Sequence, residues 1–133
     1  MNAAPTRRPV ALVVDDAPEL SLLLGFFLTQ SGFDVRSVAD GESALVEAER
    51  SHPDLVCLDL MLPRMCGLEV CERLRAQHAT ARSLVVITSA RRSLADRADA
   101  MRAGADAFLS KPVELLELSA IIERVRAGER HAS

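Results

Sequence analysis

The stretch "PVALVVDDAPELSLLLGFFLTQSG", residues 9–32, decides the fold. Its first six residues are apolar and rich in valine, the mark of a strand buried on both faces. From Ala17 the period changes. Leu20, Leu23, Leu24, Phe27 and Leu28 recur at helical spacing, and Gly32 ends the run. A doubly buried strand followed at once by a helix belongs to a parallel sheet with helices as crossovers. Asp15 and Asp16 stand at the joint between the two.

The same unit recurs along the chain. "FDVRSV" (33–38) is a second strand, and Asp40 caps a helix through about Arg50. "DLVCLD" (54–59) and "GLEVCERLRAQ" (67–77) are a third strand and helix. "SLVVIT" (83–88) is a fourth strand; Ser93 with Asp96 makes a capping-box-like start to a helix that Gly104 ends. "DAFLS" (106–110) leads to a last helix from Glu114 to about Ala127, with Leu115, Leu118, Ser119, Ile122 and Val125 facing inward. The prediction is an α/β, (βα)5 doubly wound fold with a five-stranded parallel sheet. One domain spans 9–127, with 1–8 and 128–133 as flexible tails.

Composition narrows the function classes. With 133 residues, 26% charged and a net charge of −3, the chain is neither a disordered segment nor a nonspecific nucleic-acid binder. No apolar run reaches the ~18 residues of a membrane span, and "MNAAPTRRP" has no apolar export core, so a cytoplasmic location without membrane insertion is expected. Cys57, Cys66 and Cys71 form no CxxC pair. They read as reduced thiols, with Cys57 as core packing.

In an open parallel sheet, ligands sit beyond the carboxyl ends of the strands. Strand one ends in Asp15-Asp16, strand three in Asp59, strand four in Thr88-Ser89, and strand five runs into Ser110-Lys111. Lys111 is the only lysine among 16 basic side chains. Capping explains polar groups at single strand ends, but not four coinciding ends. Three neighbouring carboxylates repel and require a cation. An oxygen-only donor set suits a hard ion, and Mg2+ fits best because it shares carboxylates with phosphate. Asp15 and Asp16 are placed to hold the ion, and Asp59 to attack phosphorus and form an acyl phosphate. Thr88 can donate its hydroxyl to a phosphoryl oxygen, and Lys111 can reach another as a compact charge.

With these residues in place, "VVDDAPEL", "DLVCLDLMLPRMCG", "VVITSA" and "GADAFLSKP", in that order, resemble a two-component response-regulator receiver domain over residues 8 to about 127. The resemblance implies a flavodoxin-like receiver fold with strand order 2-1-3-4-5. It implies Asp59 as phosphoacceptor, Asp16 as direct Mg2+ ligand, Asp15 acting largely through metal-bound water, and the Met61 carbonyl as a further ligand. It also implies Thr88 and Phe108 as a coupled switch pair and a cis Lys111-Pro112 bond. A sensor histidine kinase or histidine phosphotransfer domain would be the donor. With no output domain after the fifth helix, a stand-alone regulator would signal to a protein effector or by homodimerisation. The expected output surface is the fourth helix, fifth strand and fifth helix.

Two departures from the family pattern stand out. The Thr88–Lys111 interval is one residue longer, with the extra residue placed in "SARRSLA", and Phe108 stands where tyrosine is frequent. Leu22 and Phe26, one turn apart and off the main stripe of helix one, read as a partly covered patch or as a docking site for a kinase bundle or dimer partner. Leu116 and Ile121 flank the core face of the last helix. Arg91, Arg92, Arg97 and Arg102 make helix four basic, most simply as a solvated face. Met61 and Ala90 flank the expected path of attacking water. An aspartate-nucleophile phosphatase would need an acid two residues after Asp59, where Met61 stands. A receiver-like scaffold that binds partners without phosphorylation is the remaining alternative.

Overall fold

The computed structural model describes residues 7–90 and 93–132. Its elements are β1 (Val10–Val14), α1 (Pro18–Gln30), β2 (Asp34–Val38), α2 (Gly41–Ser51), β3 (Leu55–Asp59), α3 (Gly67–Ala76), a 3-10 turn (His78–Thr80), β4 (Leu84–Ser89), α4 (Leu94–Arg102), β5 (Ala107–Ser110) and α5 (Leu115–Arg126). The strands form one parallel sheet in the order β2-β1-β3-β4-β5, as expected. Asp40 and Ser93 cap α2 and α4: Asp40 Oδ1 accepts from the Ser43 amide at 2.8 Å, and Ser93 Oγ from the Asp96 amide at 3.0 Å. Arg91 and Arg92, within the stretch assigned the extra residue, lie outside the described residues.

Strand alternation divides the core into two layers. Leu12, Val14, Val56 and Leu58 point to the side covered by α2, α3 and α4, where Ala44, Ala48, Val70, Leu74 and Ala100 meet them. Ala11, Val13, Leu55 and Cys57 point to the side covered by α1 and α5. The central strands β1, β3 and β4 are buried throughout, which is why they read as unbroken apolar runs.

Two helix faces differ from expectation. On α1, Leu24 and Leu28 are buried with Leu20 and Phe27 packed against them, but Leu23 is 55% exposed. At 100° per residue, Leu23 falls well off the direction shared by the other four. On α5, Leu115 is 44% exposed because it opens the helix, while Ile121 is buried with Leu118, Ile122 and Val125. Ile121 is therefore core, and Leu116 remains outside at 82% exposure.

At the amino ends of the strands, two carboxylates extend the ladder. Asp54 precedes β3; its Oδ2 accepts from the Val10 amide at 2.8 Å, and its own amide donates to the Val10 carbonyl at 2.8 Å. Asp106 precedes β5 and repeats the motif with Val85, at 2.9 and 2.7 Å. Arg7 and Arg130 pair with Asp54, at 3.2 and 3.1 Å. Arg75 pairs with Asp106 at 2.8 Å, and His131 Nδ1 lies 2.7 Å from the other oxygen. Arg130 and His131 thus contact the sheet from within the stretch expected as a tail. Arg75 also donates to the carbonyls of Gly104 (2.9 Å) and Ser83 (2.6 Å), linking α3, β4 and the turn before β5.

Replacing Arg75 leaves Asp106 and several carbonyls short of donors in a largely dry setting. Arg75→Ala is expected to cost about 3 kcal/mol. At a urea dependence near 2 kcal/mol/M this lowers the midpoint of unfolding by about 1.5 M. A second outcome concerns the thiols. Burial pushes Cys57 up to about 12 and Cys71 up to about 11, while Cys66 is exposed. A maleimide at neutral pH is expected to add once to the folded protein, at Cys66, and at all three cysteines in denaturant, read by intact mass.

Candidate functional site

The carboxyl edge of the sheet gathers the acidic residues. β1 delivers buried Asp15 and exposed Asp16, and β3 ends in Asp59, 5% exposed. One carboxylate oxygen from each of the three lies within 4.8 Å of the others. Lys111, just after β5, sets its Nζ 3.0 Å from Asp15 Oδ2 and 3.2 Å from Asp59 Oδ2. The Lys111–Pro112 bond is cis, and the Lys111 amide donates to the Ser89 carbonyl at 2.8 Å.

The two inner carboxylates are held alike. Asp15 Oδ1 accepts from the Ala17 amide at 2.9 Å, and Asp59 Oδ1 from the Met61 amide at 3.0 Å. In both, a side chain accepts from the amide two residues on, the local turn to which aspartate is suited. One oxygen is fixed by backbone and the other is presented to Lys111. Sequence reasoning placed the carboxylates but missed these two amides, although an aspartate ending a strand before a turn is their signal.

Gly67 sets how closely α3 approaches. Its amide donates to the Leu60 carbonyl at 2.9 Å, and a Cβ there would stand 2.5 Å from the Asp59 carbonyl oxygen. Only glycine lets the helix begin against the end of β3. Thr88 is 3% exposed and is the register partner of Asp59, with its carbonyl accepting from Leu60 at 2.9 Å. Phe108 is buried in the layer beneath α4, one position before the partner of Thr88 on β5. Met61 is half exposed, and Ala90 is exposed beyond β4.

Burial is the main influence on Asp59 and raises its carboxyl above the usual range, with Asp15 adding to the effect. The Met61 amide and Lys111 oppose it without cancelling it. For Lys111, burial disfavours the charge, but the hydrogen bond to Asp15 and the charges of Asp59 and Asp15 outweigh it, so the ammonium is held above its ordinary value. The cluster carries two negative charges beyond what this one ammonium balances.

Leu22 and Phe26 are 76% and 64% exposed on α1. With Pro18, Ser21, Gly25 and Val35 they line a groove of about 510 Å³ along β2. Pro18, Ser21 and Ser37 also line a smaller hollow that contains Asp15 and Asp16, so the groove leads to the carboxylates. Among the described residues, no helix is long and apolar enough to cross a membrane.

Known proteins resemble this chain in sequence and in fold. The family model for the response regulator receiver domain matches residues 11–123. The sensory transduction protein RegX3 of Mycolicibacterium smegmatis is 43% identical over 122 residues, covering 92% of this chain and 51% of that protein. The alkaline phosphatase synthesis transcriptional regulatory protein PhoP of Bacillus subtilis is 39% identical over 114 residues, covering 86% of this chain and 47% of that protein. The chain spans about half the length of these curated relatives. A putative response regulator from Chloroflexus aurantiacus superposes with a TM-score of 0.84 at 29% identity, over 91% of this chain and 99% of that one. The receiver domain of a sensor histidine kinase from Pseudomonas aeruginosa, solved with a magnesium ion coordinated in its active-site cleft, gives 0.80 at 30% identity, over 89% and 97%. Fold, acidic edge and family model agree over nearly the whole chain, which therefore belongs to the response regulator receiver family of two-component signalling.

Proposed function

We propose that Asp59 is the phosphoacceptor of this receiver, with Mg2+ as cofactor. The observation that carries the reading is the convergence of three carboxylates and one ammonium at the carboxyl edge of the sheet. The donor set fits the ion: oxygen ligands only, clustered tightly, with an excess of negative charge. Asp15, Asp16, Asp59 and the carbonyl of Met61 would hold it. When bound, Mg2+ supplies positive charge to the phosphoryl oxygens and offsets their repulsion from the carboxylates.

The remaining chemistry belongs to the chain. An Asp59 oxygen forms a bond to phosphorus as the donor's bond to the same phosphorus breaks, giving an acyl phosphate. The Met61 amide holds the other oxygen of the carboxylate, which fixes the direction of attack. Lys111 is near enough to meet the incoming charge, and Thr88, beside Asp59 in register, donates its hydroxyl to a phosphoryl oxygen. Drawing Thr88 toward the phosphoryl group makes room on the β5 side and favours an inward Phe108. The surface of α4, β5 and α5 then carries the signal to a protein effector or a second copy of the chain.

The donor partner is a sensor histidine kinase or a histidine phosphotransfer domain. Leu22 and Phe26 would receive its helical bundle, because their groove opens toward the carboxylates. Met61 and Ala90 border the site from the solvent side and would influence the lifetime of the acyl phosphate.

A small phosphodonor with Mg2+ is expected to add one phosphoryl group to the wild type and none to Asp59→Asn, read by intact mass or a phosphate-affinity gel. Equal labelling of both would reject the assignment, and a wild type that stays unlabelled yet binds its partner would favour the scaffold reading. Phe26→Glu is expected to slow transfer from the cognate kinase at least tenfold, about 1.4 kcal/mol, while small-donor labelling is unchanged. Unaltered kinase kinetics would remove the patch from the interface.

A further inference from the structure

The α4 helix carries an arginine that the phosphoryl chemistry leaves unused. Phe108 is 5% exposed and belongs to the core cluster that includes Ile87, Ala100, Ala103 and Ala105. The guanidinium carbon of Arg97 stands over that ring, 5.3 Å from its centroid. This is within the range where a cation is drawn to the face of an aromatic ring. Among the described residues, the Arg97 side chain forms no hydrogen bond or ion pair, whereas Arg102 on the same helix is paired with Asp99. The ring is what Arg97 contacts. Arg97 is exposed on the basic helix face, but its guanidinium lies against a ring as well as solvent.

We propose that Arg97 is a positioning residue for the switch: its guanidinium holds Phe108 inward and so favours the state that a phosphoryl group on Asp59 selects. The inference rests on the proposed coupling of Asp59, Thr88 and Phe108. Where an inward ring accompanies the phosphoryl group, a contact that stabilises the inward ring in advance strengthens phosphoryl binding by the same factor. For a cation–π contact at an exposed arginine that factor is about two- to fivefold. Arg97 shares the exposed side of α4 with Leu94 and Met101, spaced by three and four residues. A ring turning outward must displace the guanidinium, so the position of Phe108 is registered on the outer face of the helix.

The test uses the full chain as wild type, Arg97→Lys, Arg97→Met and Arg97→Ala. Beryllium fluoride with Mg2+ serves as the phosphoryl mimic, and its binding midpoint is read from the Thr88 amide resonance. Exposure of the Phe108 ring is read without the mimic, from relaxation of its protons by a soluble paramagnetic agent. Arg97→Met and Arg97→Ala are expected to raise the midpoint about two- to fivefold and to expose the ring, while Arg97→Lys retains most of both. Equal midpoints and equal ring exposure in all four proteins would overturn the proposal. So would Arg97→Met behaving as the wild type, because the stem rather than the charge would then cover the ring. If the wild type binds no mimic, the Asp59 reading fails, and the ring-exposure arm alone decides whether Arg97 holds Phe108.

Discussion

The mutual repulsion of three carboxylates is the constraint around which this end of the molecule is arranged. Asp15 and Asp59 are both buried at the sheet edge, each with one oxygen fixed by a backbone amide. Lys111 reaches both of the other oxygens. Without it, two ionised carboxylates would face each other in a poorly solvated cleft, and one of them would be driven toward protonation. With it, the cluster holds together and keeps an excess of negative charge. That residual excess is what suits the cluster to a divalent ion, whose charge would offset the repulsion between the carboxylates and any incoming anion; a fully neutralised cluster would attract no cation.

The opposite end of the sheet makes the comparison within the same molecule. Asp54, buried, and Asp106, partly buried, are also carboxylates at strand ends, each bonded to a backbone amide of a neighbouring strand. There the partners include arginines, two on Asp54 and one on Asp106, with His131 against the other oxygen of Asp106. Arg75 spreads its guanidinium over Asp106 and several carbonyls, a role suited to a planar fork with many donors. Neutralised carboxylates with all oxygens engaged stabilise structure. Under-neutralised ones, served by a single ammonium on a flexible stem, leave charge that a cation can meet. The distribution of Lys and Arg in this chain mirrors that division.

Much of this was legible in the sequence because it depends on local pattern. Unbroken apolar runs marked β1, β3 and β4, and Asp15, Asp16, Asp59, Thr88 and Lys111 are the polar residues at which the strands end. Strand order was not legible from periodicity; it came from the family resemblance. The carboxylates Asp54 and Asp106 escaped notice because their partners are remote: Arg7, Arg75, Arg130 and His131 meet them only after folding. Leu23 and Ile121 were misplaced for a related reason. Helical spacing bounds an apolar face, but the neighbouring element decides which edge of that face is covered. Arg97 looked like solvated charge, because a contact between a helix surface and the next strand leaves no periodic trace.

The loop from β3 to α3 shows how the backbone pins down the Asp59 carboxylate. Arg64 adopts a positive φ of 67°, uncommon for a residue with a Cβ. Three residues later, Gly67 approaches the Asp59 carbonyl so closely that no side chain fits. Together they turn the chain back on itself within eight residues of Asp59, and Leu60 is bonded on both sides, to Thr88 and to Gly67. Asp59 is therefore gripped by β4 through Leu60 and by α3 through Gly67, while its side chain is aimed by Met61. A carboxylate so restrained has little freedom to retreat from an incoming group. Accommodation must come instead from what surrounds it, where Thr88 is a rotatable hydroxyl and Phe108 a ring bounded on one side by an exposed arginine.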